Sequence, residues 1–316
     1  MDALSDVLRV LRLTGGVYLD ARFTAPWCVL SQLEATDCRP YFTEPKHIIG
    51  YHYVVAGRLK LAVEGEAQVE LEGGDLVLLP HNEAHRMGSA LDIEAINGAS
   101  LPYVESQGLT QIRYGGGGEA THIVCGFMGT EGGRHPLLEA LPRVLKLKTE
   151  ASAAGAWIKS SFTYAAREAA AGRAGTATVL SKLSELLFVE AVRGYLEELP
   201  DERKGWLAGM RDPVVSRALT QIHARLAHAW TVDEMASVAF LSRSAFAERV
   251  TELMGMPPMR YLALWRMQVA AQQLRDGHQS IARIALDVGY DSEAAFTRAF
   301  KREHGVAPGA WRRKVP

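Results

Sequence analysis

The chain carries one supersecondary pattern twice. From Thr231 it reads TVDEMASVAFLSRSAFAERVTELMGMPPMRYL, and from Ser280 it reads SIARIALDVGYDSEAAFTRAFKREHGVAPGAWRR. Alignment pairs Ala236 with Ala285, Phe246 with Phe296, Gly255 with Gly305, Pro258 with Pro308 and Tyr261 with Trp311. The offset is 49 residues early and 50 late, which puts one extra residue in the second copy near Ala294. A self-similar unit of this length is a duplicated supersecondary element, so one local fold has to serve twice.

Each copy spells out two short helices. Thr231 with Glu234 three residues on is a capping-box pattern opening a helix with Val232, Met235, Ala236 and Ala239 at helical spacing. Ser242 caps a second helix whose buried row is Phe246, Val250 and Leu253. In the second copy Ile281, Ile284, Ala285 and Val288 form the first helix, Gly289 takes the turn, and Asp291 or Ser292 caps the next. Its buried row is Phe296, Ala299 and Phe300. Two short helices on a tight turn, small where they cross, form a helix-turn-helix.

The opposite faces of the second helices are the informative ones. With the phenylalanines inward, Arg243, Ser244, Ala247, Glu248 and Thr251 point out in one copy. Glu293, Ala294, Thr297, Arg298 and Lys301 point out in the other. Short side chains beside an arginine let a helix approach base edges, and arginine binds guanine in a bidentate manner. Between the copies, Leu262, Trp265, Val269 and Leu274 mark a helix of about 17 residues, roughly 25 Å long. Such a strut would hold two reading helices about one DNA turn, or 34 Å, apart. Charge agrees. From Trp206 onward there are 15 Lys/Arg against 10 Asp/Glu, and the remainder holds 20 against 26. A basic segment joined to an acidic one fits a polyanion-binding module attached to something else. An ordinary helical bundle needs neither the matched caps, glycines and prolines nor the charge.

Residues 211–316 resemble the DNA-binding domain of the AraC/XylS family of transcription regulators, and the second copy lies close to that family's signature. The resemblance implies major-groove contacts to double-stranded DNA from Arg243, Ser244, Ala247 and Glu248 in the first unit. It implies the same for Glu293, Ala294, Thr297 and Arg298 in the second. Lys301, outward on the same face, is a further candidate DNA contact, and so is Arg266 on the connecting helix, which falls where the family usually has an arginine. Phe240 departs from the pattern, standing at a turn position where the family often has glycine. Glu248 departs too, standing where a polar or basic residue is common: a carboxylate there accepts from cytosine but repels phosphate.

Residues 17–128 alternate apolar and polar positions between closely spaced glycines, as in GYHYVVAGRLKLAVEG and AQVELEGGDLVLLP, which predicts an antiparallel sandwich or barrel. GGDLVLLPHNEAH, from Gly73 to His85, resembles the second motif of the cupins. GYHYVVAGRLKL resembles a reduced first motif with His52 as its single histidine. The resemblance implies a cupin-like β-barrel sensor. His52, His81, His85 and Cys125 are then the candidate effector or metal residues, with His122 a further candidate, and zinc suits such imidazole and thiolate ligands. Retained histidines bonded to backbone are the plainer reading. Cys28, Cys38 and Cys125 make an odd, irregularly spaced set, which argues against a disulfide framework. Gly115–Gly118 lacks a following Lys-Ser/Thr and reads as a flexible hairpin tip rather than a phosphate loop.

The expected fold class is thus α+β and multidomain. It comprises a cupin-like β-barrel sensor at 1–145, a helical linker at 146–205 and an all-α domain with two helix-turn-helix units at 206–316. The linker helix carries Leu180, Leu183, Leu187 and Tyr195 on one stripe, for core packing or dimer contact. The Ala/Gly-rich stretch 165–176 reads as a hinge or loop. The N-terminal MDALSDVLRVLRL is amphipathic, with Leu4, Val7, Leu8 and Leu11 on one face, rather than a secretion signal. No apolar run approaches the roughly 18–20 residues of a membrane span, so the expected location is the cytoplasm. The expected function is a transcription regulator responding to a small-molecule, metal or redox signal. It is expected to act as a homodimer, with RNA polymerase and a small-molecule effector as further candidate partners. The alternative is a cupin-type metalloenzyme with an appended helical domain.

Overall fold

The computed structural model describes residues 2–38, 45–106, 109–130, 135–148, 153–171, 173–200 and 202–314. In chain order, helix α1 (Ala3–Leu11) precedes strands β1 (Thr14–Thr24), β2 (Cys28–Ser31), β3 (His47–Ala56) and β4 (Arg58–Val63). There follow β5 (Val69–Glu72), β6 (Asp75–Leu79), β7 (His85–Gly88), β8 (Ile96–Asn97), β9 (Tyr103–Ser106), β10 (Leu109–Gly115) and β11 (Ala120–Thr130). Then come α2 (Pro136–Ala140), β12 (Leu145–Lys148), α3 (Ala153–Ala171), α4 (Thr176–Glu198), α5 (Trp206–Arg211) and α6 (Pro213–Ala224). The chain ends with α7 (Val232–Val238), α8 (Arg243–Met254), α9 (Pro258–Asp276), α10 (Ile281–Asp287), α11 (Glu293–His304) and α12 (Pro308–Lys314). Two compact units result: a β unit of residues 13–130 and 141–197, and a helical unit of residues 1–12, 131–140 and 198–316.

The β unit is a pair of sheets rather than the closed barrel expected from sequence. Among the described residues, a seven-stranded sheet runs β12-β6-β3-β11-β1-β10-β9 and a five-stranded sheet runs β5-β4-β7-β2-β8. Most neighbours are antiparallel, but β1–β10 and β2–β8 are parallel. The period-2 alternation decides which side chains meet. Ala21, Phe23, Val54, Val77, Leu79, Ile123 and Cys125 of the larger sheet pack with Val29, Leu59, Leu61, Leu71 and Met87 of the smaller. On the other face of β3, Tyr53 stacks on Phe162 of α3 with ring centroids 4.3 Å apart, and Tyr51 lies 6.0 Å from the same ring. Strand β3 is therefore covered on both sides, which is why its sequence is nearly all apolar.

The glycine run is not a hairpin tip, because β1 lies between β10 and β11. Gly116 and Gly118 donate to the carbonyls of Thr24 and Ala25 at 2.9 and 2.8 Å, and a Cβ at Gly115 (φ 136°) would overlap the Thr24 carbonyl oxygen. The glycines serve a backbone-on-backbone crossing. The stretch 165–176 is also mostly helix: α3 continues to Ala171 and α4 begins at Thr176, since alanine is the best helix former. On α4, Leu180 and Leu187 are buried, and Leu183 and Tyr195 are half-buried.

In the helical unit, α1 buries Ala3, Asp6, Val7, Val10 and Leu11, a face one position round from the one expected, and packs on α6 and α9. Asp6 sits on that face because Arg9 binds it at 2.6 Å and the ring of His223 lies 3.6 Å away. The repeat folds as two matched helix pairs, α7–α8 and α10–α11. Thr231, Ser242, Ser280 and Ser292 are all side-chain N-caps, and Gly255 and Gly305 are left-handed C-caps. The extra residue of the second copy lies in its turn, between Gly289 and the Ser292 cap, not near Ala294. The buried row of α8 ends on Met254 rather than Leu253, as 3.6-residue spacing from Val250 allows.

Phe240 and Gly289 hold the same turn position at φ 57° and 82°. A side chain in this region is strained by roughly 1–2 kcal/mol. Phe240 is 80% exposed and recovers little beyond Arg217 lying 5.0 Å over its ring. Phe240→Gly is therefore expected to stabilise the helical unit by about 1 kcal/mol. A thermal melt in which the glycine variant unfolds earlier would show that the ring's contacts outweigh the strain.

Candidate functional site

The outward faces of α8 and α11 are as the sequence places them. Arg243, Ser244, Glu248 and Thr251 are exposed and Ala247 is half-exposed, while Phe246, Val250 and Met254 are buried. Glu293, Ala294, Arg298 and Lys301 are exposed and Thr297 is half-exposed, over buried Phe296, Ala299 and Phe300. Arg243 leans 3.5 Å from Asp233. Among the described residues, Arg298 and Lys301 have no ion-pair partner. Helix α9 is 19 residues long, roughly 28 Å at 1.5 Å per residue, and contacts α8, α10, α11 and α12.

Arg266 stands apart from these faces. Its guanidinium donates to three carbonyls: Leu226 at 3.1 and 3.0 Å, His228 at 2.7 Å and Gly289 at 3.0 Å. Residues 226–228 lead into the first helix pair and Gly289 is the turn of the second. Arg266 thus ties both pairs to the middle of α9 and is half-buried in doing so, with four hydrogen bonds directed inside the protein.

In the β unit, strand pairing sets Cys125 on β11 opposite His52 on β3, and His85 reaches across from the facing sheet. His52 Nδ1 lies 2.9 Å from Cys125 Sγ, and His52 Nε2 lies 2.9 Å from His85 Nε2. His85 Nδ1 is 2.9 Å from the Glu83 carbonyl. A carbonyl only accepts, which fixes every proton when both rings are neutral. His85 donates through Nδ1 and accepts at Nε2, His52 donates through Nε2 and accepts at Nδ1, and the Cys125 thiol donates. Burial, then the neighbouring His85, pushes His52 well below the usual imidazole range, and burial also lowers His85. Burial, with Asp20 adding to it, pushes the Cys125 thiol up to about 12. The resting chain is uncharged.

This chain does not fit the metal a cupin-like domain suggests. His52 turns opposite ring nitrogens to Cys125 and His85, so sulfur and imidazole lie on opposite sides of one ring and cannot meet at one ion. His81 is elsewhere, bonded through Nε2 to the Leu141 carbonyl at 3.1 Å. His122 pairs with Asp20 at 2.5 Å. Among the described residues, no group of three or more His, Cys, Asp or Glu is arranged to hold a metal. Instead the chain borders a cavity of about 520 Å³, lined also by Leu19, Phe23, Val29, Met87, Leu101 and Ile112.

Residues 2–197 match the cupin family, and residues 235–314 match a helix-turn-helix domain. A protein of Streptomyces antibioticus named as an AraC-like transcription regulator is 32% identical over 99% of this chain and 99% of its own length. The chain belongs to the AraC-like transcription regulators. A second relative of this regulator is the RCS-specific HTH-type transcriptional activator RclR of Escherichia coli, 28% identical over 100% of this chain and 98% of that protein. The solved DNA-binding domain of AdpA in complex with a target DNA is similar at 27% identity and a TM-score of 0.31, over 33% of this chain and 92% of that one. By its family and its two matched domains, this AraC-like protein is a DNA-binding transcription regulator with a cupin-type N-terminal domain.

Several residues of the regulator's sites carry no sequence signal. Asn82, at φ 53°, donates to the Leu33 carbonyl at 2.6 Å and accepts from the Leu33 amide at 3.3 Å, closing one cavity wall. Arg143 grips Glu83 with two bonds of 2.7 and 2.8 Å and so holds the carbonyl that anchors His85. Arg249 binds Asp212, the N-cap of α6, at 2.6 Å and ties α8 to it. Each pairing spans dozens of residues, so only the folded chain reveals it.

Proposed function

We propose that the regulator reads double-stranded DNA through the exposed faces of α8 and α11, in successive major grooves, and takes its signal in the cavity beside His52, His85 and Cys125. The observation that carries the DNA reading is the pair of matched helix-turn-helix units bolted to one helix, with Arg298 and Lys301 exposed and unpaired among the described residues. Arg243, Ser244, Ala247 and Glu248 complete the surface in the first unit. Glu293, Ala294 and Thr297 complete it in the second. Arg266 supports these contacts from behind.

Two further parts of the reading concern assembly and chemistry. Trp157 and Tyr164 on α3, and Val179 and Leu186 on α4, are exposed apolar pairs seven residues apart, which supports a homodimer through the β unit. The protein acts by binding rather than by turnover, in the cytoplasm where its operator lies, with RNA polymerase as the downstream partner.

Arg298→Ala is expected to lower specific operator affinity by about 1–3 kcal/mol, and parent binding should weaken steeply with salt. Unchanged binding of the variant removes Arg298 from the contact set, and a flat salt response would sink the DNA reading. For the sensor, His52, His85 and Cys125 are substituted singly, with reporter output and DNA binding measured apart. Variants that all respond as the parent does would place the sensing site elsewhere.

A further inference from the structure

Resting on the reading of the β unit as the sensor, we propose that its cavity takes an uncharged, largely apolar small molecule carrying one or two hydrogen-bonding oxygens. At about 520 Å³ the space is within the range of small-molecule sites, roughly 300–1,000 Å³. Among the described residues its lining includes no lysine or arginine, and its only carboxylate is the exposed Asp37.

The polar groups inside are already committed. Both nitrogens of His52 and of His85 are used in the chain from Cys125 to the Glu83 carbonyl, and the Asn82 amide is used on Leu33. An entering carboxylate or phosphate would lose its water and find no cation, only the second N–H of the neutral Asn82 and Gln32 amides. That is the costly case for a buried charge. An ammonium would meet neutral imidazoles whose acceptor nitrogens are occupied. What remains free is modest: among the described residues the hydroxyls of Ser31, Thr36, Tyr103 and Thr110 line the cavity without an internal hydrogen bond. A hydroxyl can donate to a carbonyl or accept from an alcohol, which suits one neutral polar group on an apolar body.

The experiment compares three probes of matched tail on the full chain: 1-octanol, octanoate and octylammonium, by calorimetry and thermal shift. The alcohol is expected to bind at least tenfold more tightly than either ion. Thr110→Trp, which fills the space from a half-exposed position, should abolish that binding. Thr110→Arg, which puts a guanidinium in the lining, should invert the preference toward octanoate. Octanoate binding the parent as tightly as octanol overturns the proposal, as does no binding of any probe, or octanol binding undiminished in Thr110→Trp. These outcomes leave the sensor reading standing. That reading fails separately, if substitutions at His52, His85 and Cys125 leave regulation unchanged.

Discussion

Replacing Arg266 by alanine is expected to cost the helical unit about 4 kcal/mol, because it strands three inward-facing carbonyls that now accept from a cation. A hydrogen bond to a charged group contributes about 1.5–3 kcal/mol, and an orphaned buried partner adds its own desolvation cost. The melting temperature should drop by roughly 15 °C for a unit of this size. Gly289→Ala attacks the same bolt from the other side. Its new Cβ would lie 2.5 Å from Arg266 Nη2 and 2.9 Å from the Ala227 carbonyl, at a φ of 82°. It should cost about 2–3 kcal/mol, through clash and backbone strain. The double variant should cost less than the two single effects added together, since removing the guanidinium removes most of the clash. Equilibrium denaturation of the four proteins measures this. If Arg266→Ala melts like the parent yet loses operator binding outright, the direct DNA contact implied by the family resemblance is correct and the bolt is not.

The helical unit was largely legible because its signals are local. Caps at Thr231, Ser242, Ser280 and Ser292, glycines past the helix ends and apolar rows at helical spacing act within a few residues. The duplication let each copy check the other. Even there, a long-range partner changed the role of Arg266: its place in the family pattern was readable, but the three carbonyls that take its donors come from loops 23 to 40 residues away. In the β unit the strand alternation was readable and the pairing was not. His52, His85 and Cys125 were singled out together, and the structure joins them. The cupin resemblance groups His81 with them, but the turn between β6 and β7 sends it to Leu141 instead. Whether the strands close into a barrel depends on sheet order, and order is set by which edges find partners, a property no single strand encodes.

Acidification from pH 7 to pH 5 should weaken both units, and histidines that are neutral because they are buried are the cause. Burial, reinforced by Arg9, pushes His223 down to about 3, and burial with His85 holds His52 well below its usual range. His223 is stacked 4.2 Å from Trp265, accepts or donates at Tyr261 over 2.6 Å, and faces Asp6 and Arg9 of α1. In the unfolded chain such a ring takes up a proton near pH 6.5, while in the fold it does not. The unfolded state therefore binds more protons, and stability is full above about pH 6.5 and falls as pH drops. For one ring that stays neutral in the fold, the loss reaches about 2 kcal/mol at pH 5. His304, also lowered by burial, acts in the same direction. Asp6, whose carboxyl burial pushes upward, acts in the opposite one and offsets part of the loss at the acid end. Hydrogen exchange followed peptide by peptide at pH 7, 6 and 5, corrected for intrinsic rates, separates the two units. His223→Gln can keep the bond to Tyr261 without titrating, so it should flatten the response of the helical unit and leave the β unit as sensitive as before. A helical unit in the parent whose stability stays level from pH 7 to pH 5 would show that His223 can take up its proton inside the fold, with the Asp6 carboxylate accepting a hydrogen bond from its Nδ1–H.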